Sequence, residues 1–311
     1  MDAYLFVHFK EKPTPDGEQI YFGLSRDGFH WQSVNGGRPV LWSFLGEKGV
    51  RDATIIRHEN GRYYIIATDL SLAYSFKHKY HSNWNEIGMR GSQCLSLWES
   101  GDLVHFEPQQ LLDFSGNGFG CLWAPDVIRP LGQKEYLLHW SSPLPHNPAK
   151  KAIYYAQTED FVHFSKPCVL YEKEDASVID SAMYEEDGWF YLFVKSDANP
   201  EAVILLKSKA PTGPFERIGR FDGEMAKLQQ GKYEAPTAVK LPDGRWALFL
   251  DYYGVPGKGQ GYVPFVSDSL GSGAFIRSDR DFSFPYGFKH GTILNIDEET
   301  CRALEALDTE G

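Results

Sequence analysis

The chain has 311 residues, enough for one large domain or two ordinary ones with a sizeable core. Its 42 acidic against 31 basic side chains leave a net charge of −11, which repels phosphate backbones and anionic lipid, so neither nucleic acid nor a membrane is expected as a partner. Mean hydropathy is −0.39, and apolar runs such as 63–67 fall far short of the roughly 20 residues a bilayer-crossing helix needs.

Met1-Asp2-Ala3 runs straight into Tyr4-Leu5-Phe6-Val7 with no basic and apolar leader, so a cytoplasmic location is expected. Cys94, Cys121, Cys168 and Cys301 are widely spaced and lack a C-x-x-C pair, which points to free buried thiols rather than disulfides or zinc. With 21 Phe, 17 Tyr and 8 Trp beside 30 Gly and 18 Pro, the composition favours many short strands punctuated by turns.

In chain order the strands form a degenerate repeat. A turn followed by an aromatic-rich strand recurs at Asn60-Gly61-Arg62-Tyr63-Tyr64, at Gln133-Lys134-Glu135-Tyr136, at Asp187-Gly188-Trp189-Phe190 and at Asp243-Gly244-Arg245-Trp246, with 3–9 as a turnless copy. Each is trailed by a strand ending in Ser, Thr or Lys, at 20–25, 95–100, 153–158, 204–209 and 275–278. An acidic turn then leads to an aromatic, at 27–31, 102–106, 160–164 and more weakly 281–284, while Pro211 to Phe215 takes its place once. Five copies in 311 residues approach the roughly 40–50 residues per unit of common propeller repeats plus loops. The expected fold is all-β, a single five-bladed β-propeller over 1–311 with a short C-terminal helix. A two-sheet sandwich would explain the strands but not the ordered recurrence of three units. The helix is expected from an Asp297 cap through Cys301, Leu304 and Leu307. The aromatic and basic stretch 69–90 is long for a connection and reads as a rim wall, a lid or an ordered insertion.

Three acids precede these strands in apolar or proline-containing company. Asp52 lies nine residues before Gly61, Asp180 eight before Gly188 and Glu234 ten before Gly244, which reads as one slot in three blades. Trp123-Ala124-Pro125-Asp126 falls in the same place of another.

At these residues the chain resembles glycoside hydrolase family 43, five-bladed propellers acting on arabinose- and xylose-containing polysaccharides. The resemblance runs over essentially the whole chain. It rests on Asp52, Trp123-Ala124-Pro125, Ile179-Asp180, Glu234-Ala235-Pro236 and His290-Gly291-Thr292, in the family's order. One departure is Ala53, where the family usually has a proline that stiffens the turn.

The resemblance implies hydrolysis with inversion. Asp52 would be the general base that takes a proton from water, and Glu234 the general acid that protonates the leaving oxygen. Their carboxyl groups would then stand about 6.5–9.5 Å apart. Asp180 would be the modulator whose charge favours the protonated form of Glu234. Asp126 aligns with no catalytic carboxylate and reads as structural. Trp123 is the candidate sugar platform, with Trp84, Trp140 and Tyr233 as further wall residues. His290 matches the position that in the family holds a channel calcium through waters; no cofactor is required for the chemistry.

The expected activity is exo-acting release of a terminal pentose from short oligosaccharides, α-L-arabinofuranosidase first, then β-xylosidase or galactofuranosidase. Rival readings are a non-catalytic sugar-binding propeller or interaction platform, a fructan-cleaving hydrolase and a glycoside phosphorylase. An Asn-Asp-Pro-Asn start and a basic phosphate cluster, expected of the last two, are not found in the sequence.

Overall fold

The computed structural model describes residues 3–144, 147–257, 260–285 and 287–307; Met1 and Asp2 of the opening segment lie outside them. The chain begins with β1 (Ala3–His8), β2 (Tyr21–Ser25) and β3 (Gln32–Ser33), then β4 (Val50–Arg57), β5 (Tyr63–Asp69), β6 (Cys94–Ser100) and β7 (Gln110–Asp113), with helix α1 (Trp84–Arg90) between β5 and β6. It continues through β8 (Trp123–Ile128), β9 (Tyr136–Leu144), β10 (Asn147–Thr158) and β11 (Cys168–Tyr171). Next come β12 (Val178–Glu186), β13 (Trp189–Ser196), β14 (Ala202–Ser208) and β15 (Glu216–Arg217), followed by helix α2 (Gly219–Met225). The last set is β16 (Lys232–Lys240), β17 (Trp246–Tyr253), β18 (Gly261–Ser267) and β19 (Ile276–Arg277), and the chain ends in β20 (Gly291–Ile296) and α3 (Glu298–Ala306).

Two compact units result, one of residues 1–122 with 280–311 and one of 123–279. In the first, the strands follow the order β3-β2-β1-β20-β4-β5-β6-β7. The C-terminal β20 lies antiparallel to β1, and it touches β4 in parallel at the single pair Gly291 and Ala53. The sheet is therefore two antiparallel four-stranded runs joined at one point, and the turnless opening copy is completed by the chain's other end. In the second unit three four-stranded antiparallel sheets follow one another, β8 to β11, β12 to β15 and β16 to β19.

Each unit buries its own apolar core. Leu5, Phe22, Ile55, Ile65 and Trp98 pack with Cys301 and Leu304 of α3, which Asp297 caps by accepting from the Thr300 N–H. In the second unit Phe193, Leu248 and Phe265 enclose Phe221 of α2, while Leu137, Ile153, Leu192 and Ile204 fill the space between the β9–β10 and β13–β14 pairs.

The acidic turn proves to be one local device used three times. Ser25, Ser100 and Thr158 accept from the N–H of Gly28, Leu103 and Phe161, all three in the left-handed region. Asp27, Asp102 and Asp160 accept from the N–H two and three residues on and pair with His30, His105 and His163 at 2.8 Å.

Two repeat assignments need correction. The last trailing strand is β18, ending at Ser267, whereas 275–278 holds only the edge strand β19. Residues 281–284 are no fourth acidic turn: Ser283 exchanges backbone hydrogen bonds with Phe29 and Trp31, and Phe284 stacks on Trp31. All four cysteines are free thiols, but only Cys121 and Cys301 are buried; Cys168 is exposed. Among the described residues no helix is long and apolar enough to cross a membrane.

Candidate active site

Four strands share one irregularity, and it places the acids. In β4 the register with β5 runs to the Arg51–Thr68 pair and slips before Thr54, leaving Asp52 and Ala53 as a bulge. The same slip follows Trp123 in β8, Ile179 in β12 and Glu234 in β16. The first bulged residue has a left-handed backbone in every case: Asp52 (φ 52°), Ala124 (49°), Asp180 (53°) and Ala235 (54°). Such a bulge re-aims side chains and ends regular pairing, and strained backbone of this kind gathers at functional sites. It also explains the proline motifs. Pro125 and Pro236 occupy the second bulge position, where Ala53 and Ser181 stand in the other two strands and a ladder N–H is least needed.

The single slot expected for the three acids is therefore two slots. Asp52 and Asp180 occupy the left-handed position itself, and Glu234 stands one residue earlier, where the other strands carry Arg51, Trp123 and Ile179. Asp126 lies beyond its bulge.

In the first unit Asp52 is held from two sides. The Thr68 hydroxyl donates to Oδ2 at 3.0 Å, and His290 Nδ1 lies 3.2 Å from Oδ1. Burial works against the charge, but His290, Arg51 and Thr68 outweigh it and hold the carboxyl below its ordinary value. Arg51 is itself fixed: Glu18 accepts from it at 2.8 Å, and its guanidinium lies 4.5 Å from the Phe9 ring and 5.8 Å from that of Trp84. Ala53 is in register with Gly291 and keeps an N–H there that proline would lack.

The long stretch after β5 is pinned rather than free. It contains a π-helical turn, Leu72–Phe76, and α1. Ser71 accepts from the Tyr74 N–H, Glu18 accepts from the Leu72 N–H, and Glu47 pairs with Lys79 and accepts from the Tyr80 hydroxyl at 2.8 Å. These anchors support the ordered-insertion reading. Trp84 is 44% exposed within it.

In the second unit Tyr253 links the two acids, bonded to Glu234 and within the electrostatic reach of Asp180. The Tyr253 hydroxyl donates to Glu234 Oε2 at 2.6 Å. Burial, the Glu234 carboxylate and then Asp180 and Asp251 push that hydroxyl far above the usual phenol range. Asp180 is buried, and three side chains grip its bulge: Ser141 Oγ accepts from the Asp180 N–H at 3.1 Å, His139 Nδ1 lies 2.7 Å from Ser181 Oγ, and Asp126 accepts from the Met183 N–H at 3.1 Å. Asp126 thus commits one carboxylate oxygen to the backbone of β12.

Trp123 is half-buried with the Lys151 ammonium 4.9 Å over its ring. Trp140 and Tyr233 are core residues, not walls: Trp140 is fully buried and donates to Ser142, and Tyr233 packs on Tyr252. A cavity of about 360 Å³ lined by Arg220, Arg245 and Asp268 lies near Ser267, at the opposite end of β17 from Asp251 and Tyr253, away from these acids.

Among the described residues no three His, Cys, Asp or Glu side chains gather to hold a metal. His290 offers one imidazole already engaged with Asp52, whereas calcium takes six to eight oxygens. Among the described residues the protein's own donors do not amount to a calcium site there. Thr68, His139, Ser141, Asp251 and Tyr253 were not singled out by the sequence reading. Their signal was a polar residue interrupting the end of an apolar second strand.

The family model described as "Probable glycosyl hydrolase domain", of the family-43-related type, matches residues 1–301. An α-L-arabinofuranosidase of Bifidobacterium longum subsp. longum is 27% identical over 278 residues, covering 77% of this chain. The chain spans about a quarter of that relative's length, 25%. The family 43 protein BlXynB of Bacillus licheniformis superposes with a TM-score of 0.58 at 15% identity, over 93% of this chain and 54% of its own. An exo-β-1,3-galactanase of Phanerochaete chrysosporium gives 0.51 at 16%, over 76% and 52%. Those two likenesses establish the fold; the match over nearly the whole length establishes the family. The chain belongs to the family-43-related glycosyl hydrolases.

Proposed function

We propose that this glycoside hydrolase is an inverting, exo-acting enzyme that releases a terminal pentose from short oligosaccharides, most closely an α-L-arabinofuranosidase. The two four-stranded runs of the first unit and the three sheets of the second are the five antiparallel sets that the reading as a single five-bladed propeller calls for. The observation that carries the reading is the shared bulge. Three carboxyls, Asp52, Asp180 and Glu234, stand at or beside left-handed residues in three strands of the same pattern, a strained arrangement that a passive scaffold has no reason to repeat.

The roles follow from the surroundings. Asp52, kept ionised by His290, Arg51 and Thr68, takes a proton from the water that attacks the anomeric carbon. Glu234 gives its proton to the departing glycosidic oxygen, and Asp180 supplies the neighbouring negative charge. Trp123 offers indole surface to the sugar ring. The arabinofuranosidase assignment rests on the 27% identical relative, with β-xylosidase and galactofuranosidase as the ordered alternatives.

The test is a panel of nitrophenyl glycosides and arabino-oligosaccharides with wild type, Asp52→Ala and Glu234→Ala. Glu234→Ala loses far more on oligosaccharides than on nitrophenyl substrates, because nitrophenolate leaves without a proton. Asp52→Ala loses both. Proton NMR of the first-released anomer shows inversion. Full activity in Asp52→Ala, or retention of configuration, overturns the assignment.

A further inference from the structure

The two carboxyl oxygens of Glu234 are not equivalent. Oε2 accepts the Tyr253 hydroxyl at 2.6 Å, while among the described residues Oε1 accepts no hydrogen bond. The pairing follows from register. Glu234 faces Asp251 across the β16–β17 ladder, so Tyr253, two residues further along β17, is its diagonal neighbour, within reach of a tyrosine side chain.

Resting on the hydrolase reading above, we infer that Tyr253 is a positioning residue that reserves Oε1 of Glu234 for the proton delivered to the leaving group. A phenol beside a protonated carboxyl can donate to only one oxygen, the carbonyl-like one, so the acidic proton stands on the other. Burial, and then Glu234, Asp180 and Asp251 around it, push the Tyr253 hydroxyl upward and so favour its donor form.

In the reaction the Oε1–H bond breaks and the proton passes to the glycosidic oxygen. The bond from that oxygen to the anomeric carbon breaks with its electron pair going to oxygen. Water bonds to the carbon and loses a proton to Asp52. Glu234 is left as a carboxylate, and the Tyr253 bond to Oε2 becomes charge-assisted and about twice as strong. An interaction that strengthens between ground and transition state raises kcat rather than lowering KM.

The experiment compares wild type, Tyr253→Phe and Tyr253→Gln on an arabino-oligosaccharide and on nitrophenyl arabinofuranoside, with circular dichroism to establish that each variant is folded. Tyr253→Phe is expected to lower kcat on the oligosaccharide about tenfold and on the nitrophenyl substrate less than about twofold, with KM unchanged. The alkaline limb of its oligosaccharide pH profile moves to higher pH, because a donor to the ionised form has been removed. Tyr253→Gln, which restores an N–H donor, recovers part of kcat. Equal losses on both substrates, an unmoved alkaline limb, or the same kcat in Phe and Gln variants overturns the inference. If wild type and Glu234→Ala do not differ on the oligosaccharide, the hydrolase reading itself has failed, an outcome separate from these.

Discussion

His290 Nδ1 lies 3.2 Å from Asp52 Oδ1, although His290 directly precedes the last strand, β20, and Asp52 sits in β4, more than 230 residues earlier. The contact exists because β20 returns to lie against β4 at Gly291 and Ala53. It favours the carboxylate, together with Arg51 and Thr68 and against burial. In the role of general base proposed for it, Asp52 works only when ionised, so activity should persist at pH values below the ordinary carboxylate range. Removing the imidazole in His290→Ala raises the Asp52 value, and the acid limb of kcat/KM moves to higher pH. Thr68→Val moves it in the same direction. Profiles that superpose on wild type would show that His290 does not act on the base.

The glycine beside that histidine is required by distance. A Cβ on Gly291 would stand 1.8 Å from the Val7 carbonyl oxygen, and the obstacle is backbone, which cannot rotate away. Gly291→Ala therefore pushes β20 off β1, at a cost of about 1–3 kcal/mol or more. Because His290 directly precedes this strand and is placed beside Asp52 by it, activity should fall further than the stability loss predicts. Urea unfolding and kinetics at a temperature where the variant is folded measure both. Wild-type stability in Gly291→Ala would mean that β20 does not sit as described.

Much of this arrangement was legible before the structure, and the limits were local. Strand order and the acidic turns follow from periodicity and turn chemistry, both short-range. The bulges do not. Counting back from each turn glycine gave nine, eight and ten residues for Asp52, Asp180 and Glu234, and the uneven count was the trace of two different slots. Measured instead from Ala235, the third interval is nine, which matches Asp52. Gly261–Ser267 is hard to read as the last trailing strand because it contains Pro264 and is not followed by the Asp-x-x-His turn of the first three copies. Thr68, Ser141 and Asp251 were readable only as partners across a ladder, and the ladder's register is a tertiary fact.

Asp69 should make part of the stability pH-dependent. It accepts from the Glu47 N–H at 2.8 Å and the Ser92 hydroxyl at 2.6 Å, joining two loops to the end of β5. Gly46 permits the close approach, since a Cβ there would meet Asp69 Oδ2 at 2.2 Å. Burial raises the Asp69 carboxyl to about 6 against the help of these donors. A carboxyl raised above its unfolded value binds its proton more tightly when folded. Its contribution is complete below about pH 4 and is lost as pH rises to about 6, amounting to up to about 3 kcal/mol. Asp69→Asn carries no such charge, so the difference in unfolding free energy between wild type and variant should shrink or reverse across that window. A difference constant from pH 4 to 7 would contradict the linkage.

The grip on Asp180 yields the last prediction. Its left-handed backbone costs about 1–3 kcal/mol, and the neighbouring strands hold it there through Ser141, His139 and Asp126. Ser141→Ala removes the acceptor for the Asp180 N–H, which costs about 1 kcal/mol of stability. If Asp180 modulates the acid as proposed, the larger effect should be on catalysis, because the freed bulge no longer fixes the Asp180 carboxyl within reach of Tyr253. We expect kcat to fall about tenfold on oligosaccharides, with Ser141→Thr restoring most of it by returning the hydroxyl. Because His139 is neutral and buried, with its pKa lowered by desolvation against the pull of Asp126, His139→Gln tests the same grip without adding charge. If Ser141→Ala and Ser141→Thr both keep wild-type kcat, the bulge holds its shape unaided, and the polar contacts around it serve stability alone.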